Sequence, residues 1–150
     1  MADVQIAGNA AKKYTNLVYA GVEFVSRQID ATAMTHLHLD VWTFDDAAFK
    51  VKLVDFGANG AFGGGDDSEQ EITLSRTSTP AVTANGWSSL DIPLSLFGAL
   101  TSRAHLAQMI IATDITARVR AEEIADAQAE KAQVTSRLVT MGEMASSVAH

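Results

Sequence analysis

THLHLDVWT (residues 35–43) alternates apolar and polar side chains along its length. A β-strand turns successive side chains to opposite faces, so Leu37, Leu39 and Val41 point one way and His36, His38, Asp40 and Trp42 the other. One face suits a core and the other suits water, which is the pattern of an antiparallel sheet with a single solvated side. Five further runs are rich in β-branched and aromatic residues: TNLVYAGVEFVS (15–26), FKVKLVDF (49–56), EQEITLS (69–75), WSSLDIPL (87–94) and HLAQMIIAT (105–113). Gly, Asp, Asn, Ser and Pro separate them and supply turn geometry. No convincing helix interrupts the series. The expectation is a mainly β domain over residues 1–112, an antiparallel sandwich of jelly-roll type.

Beyond residue 113 the composition changes. Residues 117–150 contain no Pro and one Gly, and Ala, Glu, Arg, Met and Leu dominate. Thr113 and Asp114 stand just before this segment and offer N-cap oxygens. Ile124, Ala127, Lys131, Val134, Leu138, Met141, Ala145 and Val148 recur at alternating spacings of three and four, which makes a heptad seam. One long C-terminal α-helix follows over 113–150, on the order of 50 Å long at 1.5 Å per residue. A helix of that length has more apolar stripe than a small sandwich can cover. The partner it calls for is its own copy, in a parallel homodimer.

The whole-chain numbers bound what such a protein does. Its 150 residues suit one domain with an appendage, and 47% hydrophobic against 19% charged residues is a folded composition. A net charge of −7 argues against nucleic acid and anionic lipid as partners. The absence of cysteine excludes disulfides, thiol catalysis and thiolate metal sites. No window reaches the roughly 18–20 apolar residues of a membrane span, and the N-terminus has no signal-peptide core. As written, the chain is expected to be cytoplasmic, without a membrane span.

Both halves resemble known families. VKLVDFGANGAFGGGDDSEQE (51–71), WSSLDIPLSLF (87–97) and LTSRAHLAQMII (100–111) resemble the β-sandwich modules appended to secreted bacterial glycoside hydrolases, over about residues 6–111. That resemblance implies a non-catalytic, carbohydrate-binding or accessory role and a secreted parent. The chain departs from the pattern in lacking the opening strand and a closing strand with a Val-Asp-Asn-Val-type signature. TDITARVRAEE (113–123) resembles the exit of a PAS sensor domain, and RLVTMGEMASSVAH (137–150) the start of the phosphotransfer domain of a sensor histidine kinase. In that family the histidine closing such a run is the phosphoacceptor, which maps onto His150. The second helix and the ATP-binding domain of the kinase pattern do not follow within these residues. The chain therefore reads as a chimera or fragment, and besides an interaction or structural role that needs only the helix, two function classes are in view. One is a carbohydrate-binding module dimerised by its helix. The other is the input and linker portion of a two-component histidine kinase, with His150 as its would-be phosphoacceptor.

Candidate site residues fall in two groups. Trp42, with His36, His38 and Asp40 on the same strand face, offers an aromatic platform beside hydrogen-bonding groups; Trp87 and Tyr19 are further platforms for a pyranose ring. Two histidines at i and i+2 also suit a transition metal, but a third strong ligand is not evident. GANGAFGGGDDSE (57–69) holds five of the ten glycines. It lacks the Gly-Lys-Ser/Thr and the following helix of a phosphate loop. It reads either as a hairpin loop or as a calcium site, in which Asp66, Asp67 and Glu69, with Asp55 and Asn59, would supply hard oxygen ligands. His105 reads as a structural histidine.

Overall fold

The computed structural model describes residues 1–44, 47–113 and 123–132. The chain divides into two compact units, Met1–Asp114 and Ile115–His150. The first unit is built of strands: β1 (Ala2–Ile6), β2 (Asn9–Lys13), β3 (Tyr19–Glu23), β4 (His36–Thr43), β5 (Phe49–Asp55), β6 (Ser68–Leu74), β7 (Gly86–Pro93) and β8 (Leu106–Thr113). Short 3₁₀ turns at Val25–Arg27 and Leu94–Leu96 interrupt the connections. In the second unit residues 123–132 are α-helical. Among the described residues no helix is long and apolar enough to cross a membrane.

The six expected strands are all present, and their pairing explains the fold. β3 pairs with β8, β4 with β7 and β5 with β6, all antiparallel. The first strand of the set meets the last, the second meets the second-last, and the middle two meet each other. This nesting is that of one long hairpin, β3-β4-β5 against β6-β7-β8, rolled up so that alternate segments fall in different sheets. A second β5–β8 contact closes the roll, giving one sheet of order β3-β8-β5-β6 and a smaller one of β4-β7. The architecture is a jelly-roll sandwich with one sheet reduced to two strands.

The core lies between the sheets. Phe49, Val51 and Leu53 of β5, Leu74 of β6 and Leu90 and Ile92 of β7 are buried together, with Val82, Leu94, Phe97 and Leu106 from the connections and β8. Leu37, Leu39 and Val41 pack against this cluster from β4. Complete burial of one such aliphatic side chain contributes about 1.5–3 kcal/mol, so the periodicity of β4 and β5 is itself the main force setting register. On the opposite face of β5, Lys50 and Lys52 reach Glu71 (3.2 Å) and Glu69 (2.9 Å) of β6. These diagonal pairs are exposed enough to contribute little beyond solubility.

Sequence reasoning did not anticipate β1 and β2. They form a hairpin of their own, joined by Ala7 (φ 50°) and Gly8 (φ 82°). Positive φ at both central positions is a type I′ turn, usually signalled by Asn-Gly or Asp-Gly. Here Ala holds the first position, so the usual signal is missing.

Candidate functional site

Register on the smaller sheet brings the candidate residues together. β4 turns His36, His38, Asp40 and Trp42 outward, and antiparallel pairing sets Pro93, Asp91, Ser89 and Trp87 of β7 directly across from them. Ser88, Leu90 and Ile92 take the inward positions and are buried. The outer face thus carries a polar half and an aromatic half, side by side on two strands.

The polar half centres on His38. Its Nδ1 lies 2.8 Å from Asp91 Oδ1, and its Nε2 lies 3.5 Å from Asp40 Oδ1. The hydrogen bond to Asp91 raises the His38 pKa, and the charge of Asp40 adds to the effect. His36 Nδ1 is 2.9 Å from the Thr35 hydroxyl. Ser89 stands across from Asp40 and adds a hydroxyl to the face.

The aromatic half is a cross-strand Trp42–Trp87 pair extended by Phe44, whose ring centroid is 6.3 Å from that of Trp42 at an interplanar angle of 55°. Trp42 is 38% exposed and Phe44 76%, so ring surface is open to solvent on an otherwise polar face. The Trp87 indole N–H is buried and has no hydrogen-bond partner among the described residues. What Trp87 can present to a ligand is therefore ring surface and not its nitrogen. Of the six residues named as ligand candidates, five meet here. Tyr19 does not. It opens β3 in the other sheet, 74% exposed and paired with Ala112. Asp91 and Ser89 were not anticipated as site residues. Their alternation in WSSLDIPL marks them as outward-facing, but only the β4–β7 register puts them beside His38 and Asp40.

The Gly-rich segment is a hairpin loop between β5 and β6, and its acidic residues bond to the loop itself. Asp55 is fully buried; its Oδ1 accepts the Gly57 N–H (2.9 Å) and its Oδ2 the His105 N–H (2.8 Å). Asp66 accepts from both the backbone and the side-chain amide of Asn59, at 3.0 and 2.6 Å. Asp67 Oδ2 accepts the Gly63 N–H at 2.6 Å, while its Oδ1 is buried without a partner. Glu69 lies on β6, paired with Lys52. Gln28 Nε2 donates to the Gly60 carbonyl at 2.6 Å, and Phe62 packs on Phe56 with ring centroids 5.6 Å apart. Among the described residues no group of three or more His, Asp or Glu is placed to hold a metal ion. The five suggested calcium ligands are thus not gathered around one point. His105 acts through its backbone, which donates to Asp55 and accepts from Phe56.

Residues 123–132 leave Ile124, Ala127 and Lys131 of the heptad seam exposed. The rest of the seam, Asp114 and His150 lie outside the described residues. Comparison with protein-family models, with curated proteins and with solved structures found no match.

Proposed function

We propose that the chain is a non-catalytic carbohydrate-binding sandwich, with the outer face of β4–β7 as its ligand surface, joined to a helix that pairs with a second copy. The observation supporting this reading is the juxtaposition of exposed Trp42 and Phe44 rings with His38, Asp40 and Asp91 on one face. A pyranose has an apolar C–H face and an equatorial rim of hydroxyls. The first stacks on an aromatic ring, and the second exchanges hydrogen bonds with carboxylates and imidazole. The outward side chains of β4 are exposed along the strand, which suits a polymer chain lying across them better than a small molecule enclosed by them. An open site with one or two platforms binds weakly, with Kd on the order of 0.1–1 mM for an oligosaccharide.

The test is a glycan array probed with the full chain, followed by calorimetry on the best oligosaccharide. Trp42→Ala is expected to weaken binding about tenfold or more, the loss of about 1.4 kcal/mol of stacking. Tyr19→Ala, on the other sheet, should leave it unchanged. Equal affinity for wild type and Trp42→Ala, or no binding to any glycan, would remove the proposal.

A second reading rests on RLVTMGEMASSVAH: the chain as the input and linker portion of a sensor histidine kinase, with the sandwich as input and His150 as phosphoacceptor. It needs a separately supplied ATP-binding domain, since phosphoryl transfer requires a site that positions the γ-phosphate and its metal. Label appearing on His150 when such a domain is added with ATP and magnesium would favour it. No label under those conditions would count against it.

A further inference from the structure

The backbone of β4 carries information separate from its side chains. Thr35 C=O accepts from Leu94 N–H (2.9 Å) and Thr43 C=O from Asn85 N–H (2.8 Å), both on the β7 side. Backbone groups alternate between the two edges of a strand, so the odd-numbered residues 35–43 bond toward β7. His36, His38, Asp40 and Trp42 then aim their N–H and C=O groups at the opposite edge. No strand among the described residues pairs with that edge.

Open edges are normally blunted by Lys, Pro, a bulge, short length or an inward-pointing charge. β4 lacks all of these, and its single carboxylate, Asp40, points outward from the sandwich. It is eight residues long, pairs with β7 without a register shift, and its inward side chains are all aliphatic apart from the closing Thr43. The other edge strands of the two sandwich sheets differ: β3 is five residues long with Gly21 at its centre, β6 carries two carboxylates, Glu69 and Glu71, against the one on β4, and β7 ends in Pro93.

We propose that this edge pairs antiparallel with β4 of a second copy, about a two-fold axis through Leu39. Groups aimed at the edge must face groups aimed at the edge, which restricts the pairing to even residues against even residues. The Leu39-centred register then sets His38 across from the partner's Asp40, and His36 across from the partner's Trp42. All four edge-directed residues are used, forming about eight backbone hydrogen bonds. Shifting the axis by one residue, to Asp40 or to His38, brings Asp40 against the partner's Asp40 or His38 against the partner's His38. Like groups then face each other and an end residue is left unpaired. Charge complementarity thus selects a single register. In that register the half-buried Leu37, Leu39 and Val41 gain cover from the partner's copies, and two two-stranded sheets merge into one of four strands. The proposal rests on register and edge geometry and is independent of sugar binding.

The chain has no cysteine, so one introduced thiol reports one position. A non-hydrogen-bonded antiparallel pair has Cα atoms about 4.5 Å apart, within disulfide reach. In the full chain carrying Leu138→Asp, added to disable pairing through the helix, Leu39→Cys is expected to form a covalent dimer on mild oxidation. Leu37→Cys and Val41→Cys, equally half-buried, should remain monomeric because each faces the other position and not itself. Asp40→Lys, which sets Lys against the partner's His38, should suppress the Leu39→Cys cross-link. By sedimentation equilibrium the same surface substitution, in the same Leu138→Asp chain without the added cysteine, should raise the dimer Kd about tenfold or more. Circular dichroism confirms the fold of each variant. Cross-linking that is absent, equal at all three positions or indifferent to Asp40→Lys, or a dimer Kd that Asp40→Lys leaves unchanged, overturns the proposal.

Discussion

His38 sits between two carboxylates, and one of them, Asp91, belongs to a strand more than fifty residues away in sequence. The alternation in THLHLDVWT is enough to turn His38 outward, and Asp40 follows from the same pattern. Asp91 does not, because register between distant strands is set by core packing and not by any local signal. Its effect is measurable. The folded-state pKa of His38 is raised above the ordinary value of 6.5, first by the Asp91 hydrogen bond. A raised histidine pKa gives stability that is fully present below the unfolded pKa and is lost as pH climbs through the folded one. Asp91→Asn should therefore shift the His38 NMR titration midpoint downward. The stability difference between wild type and this variant should be larger at about pH 5.5 than at about pH 8.5. A midpoint unmoved by the substitution would show that the pair does not persist in solution.

At the scale of an element, the Gly-rich loop was legible as a hairpin connection but not as a built object. Its composition suggested oxygen ligands for a cation. What that reading left out is that Asp55, Asp66 and Asp67 accept hydrogen bonds from backbone and side-chain N–H groups of the loop and its neighbours. The difference is one of distance. Asp55 bonds across to His105, which adjoins β8, and no reading of residues 57–69 alone can show that the nearest N–H groups will need satisfying. Gly57 illustrates the tightness, since its φ is +66° and a Cβ there would meet the Asp66 carbonyl oxygen at 2.5 Å. Asp55→Ala should destabilise the fold by about 3 kcal/mol, since it strips two hydrogen bonds and strands two N–H groups. Asp55→Asn keeps one acceptor and should cost roughly half as much. Urea denaturation decides this: a change under about 0.5 kcal/mol for Asp55→Ala would mean that water replaces the carboxylate. The β1–β2 hairpin escaped prediction for a smaller reason, a single alanine at a turn position that usually holds Asn or Asp.

At the largest scale described, the sandwich takes its order from one nested hairpin, β3 to β8. Six strands were readable from composition and turn spacing, and the inward face of β4 from its alternation; burial of Val51, Leu53, Leu90 and Ile92 follows the same period of two. Which strands pair was not readable, because pairing of β3 with β8 joins residues some ninety positions apart. That outermost pairing also fixes how the sandwich carries load. Tyr19 opens β3 opposite Ala112 near the close of β8, and Thr113 N–H meets the Val18 carbonyl at 3.2 Å. Both ends of the sandwich thus leave from a single point on its surface. Force applied through them acts across the β3–β8 ladder and not along it, so the hydrogen bonds are loaded one after another, as in unzipping. Handles attached at Glu23 and Ala112 would load the same ladder along its length, with every bond sharing the strain. Optical-trap pulling on cysteine handles should give a clearly lower rupture force for the Tyr19–Ala112 pair than for the Glu23–Ala112 pair. A sandwich tethered by its ends is thus one that tension opens from the outside in, with β3 the first strand to peel away.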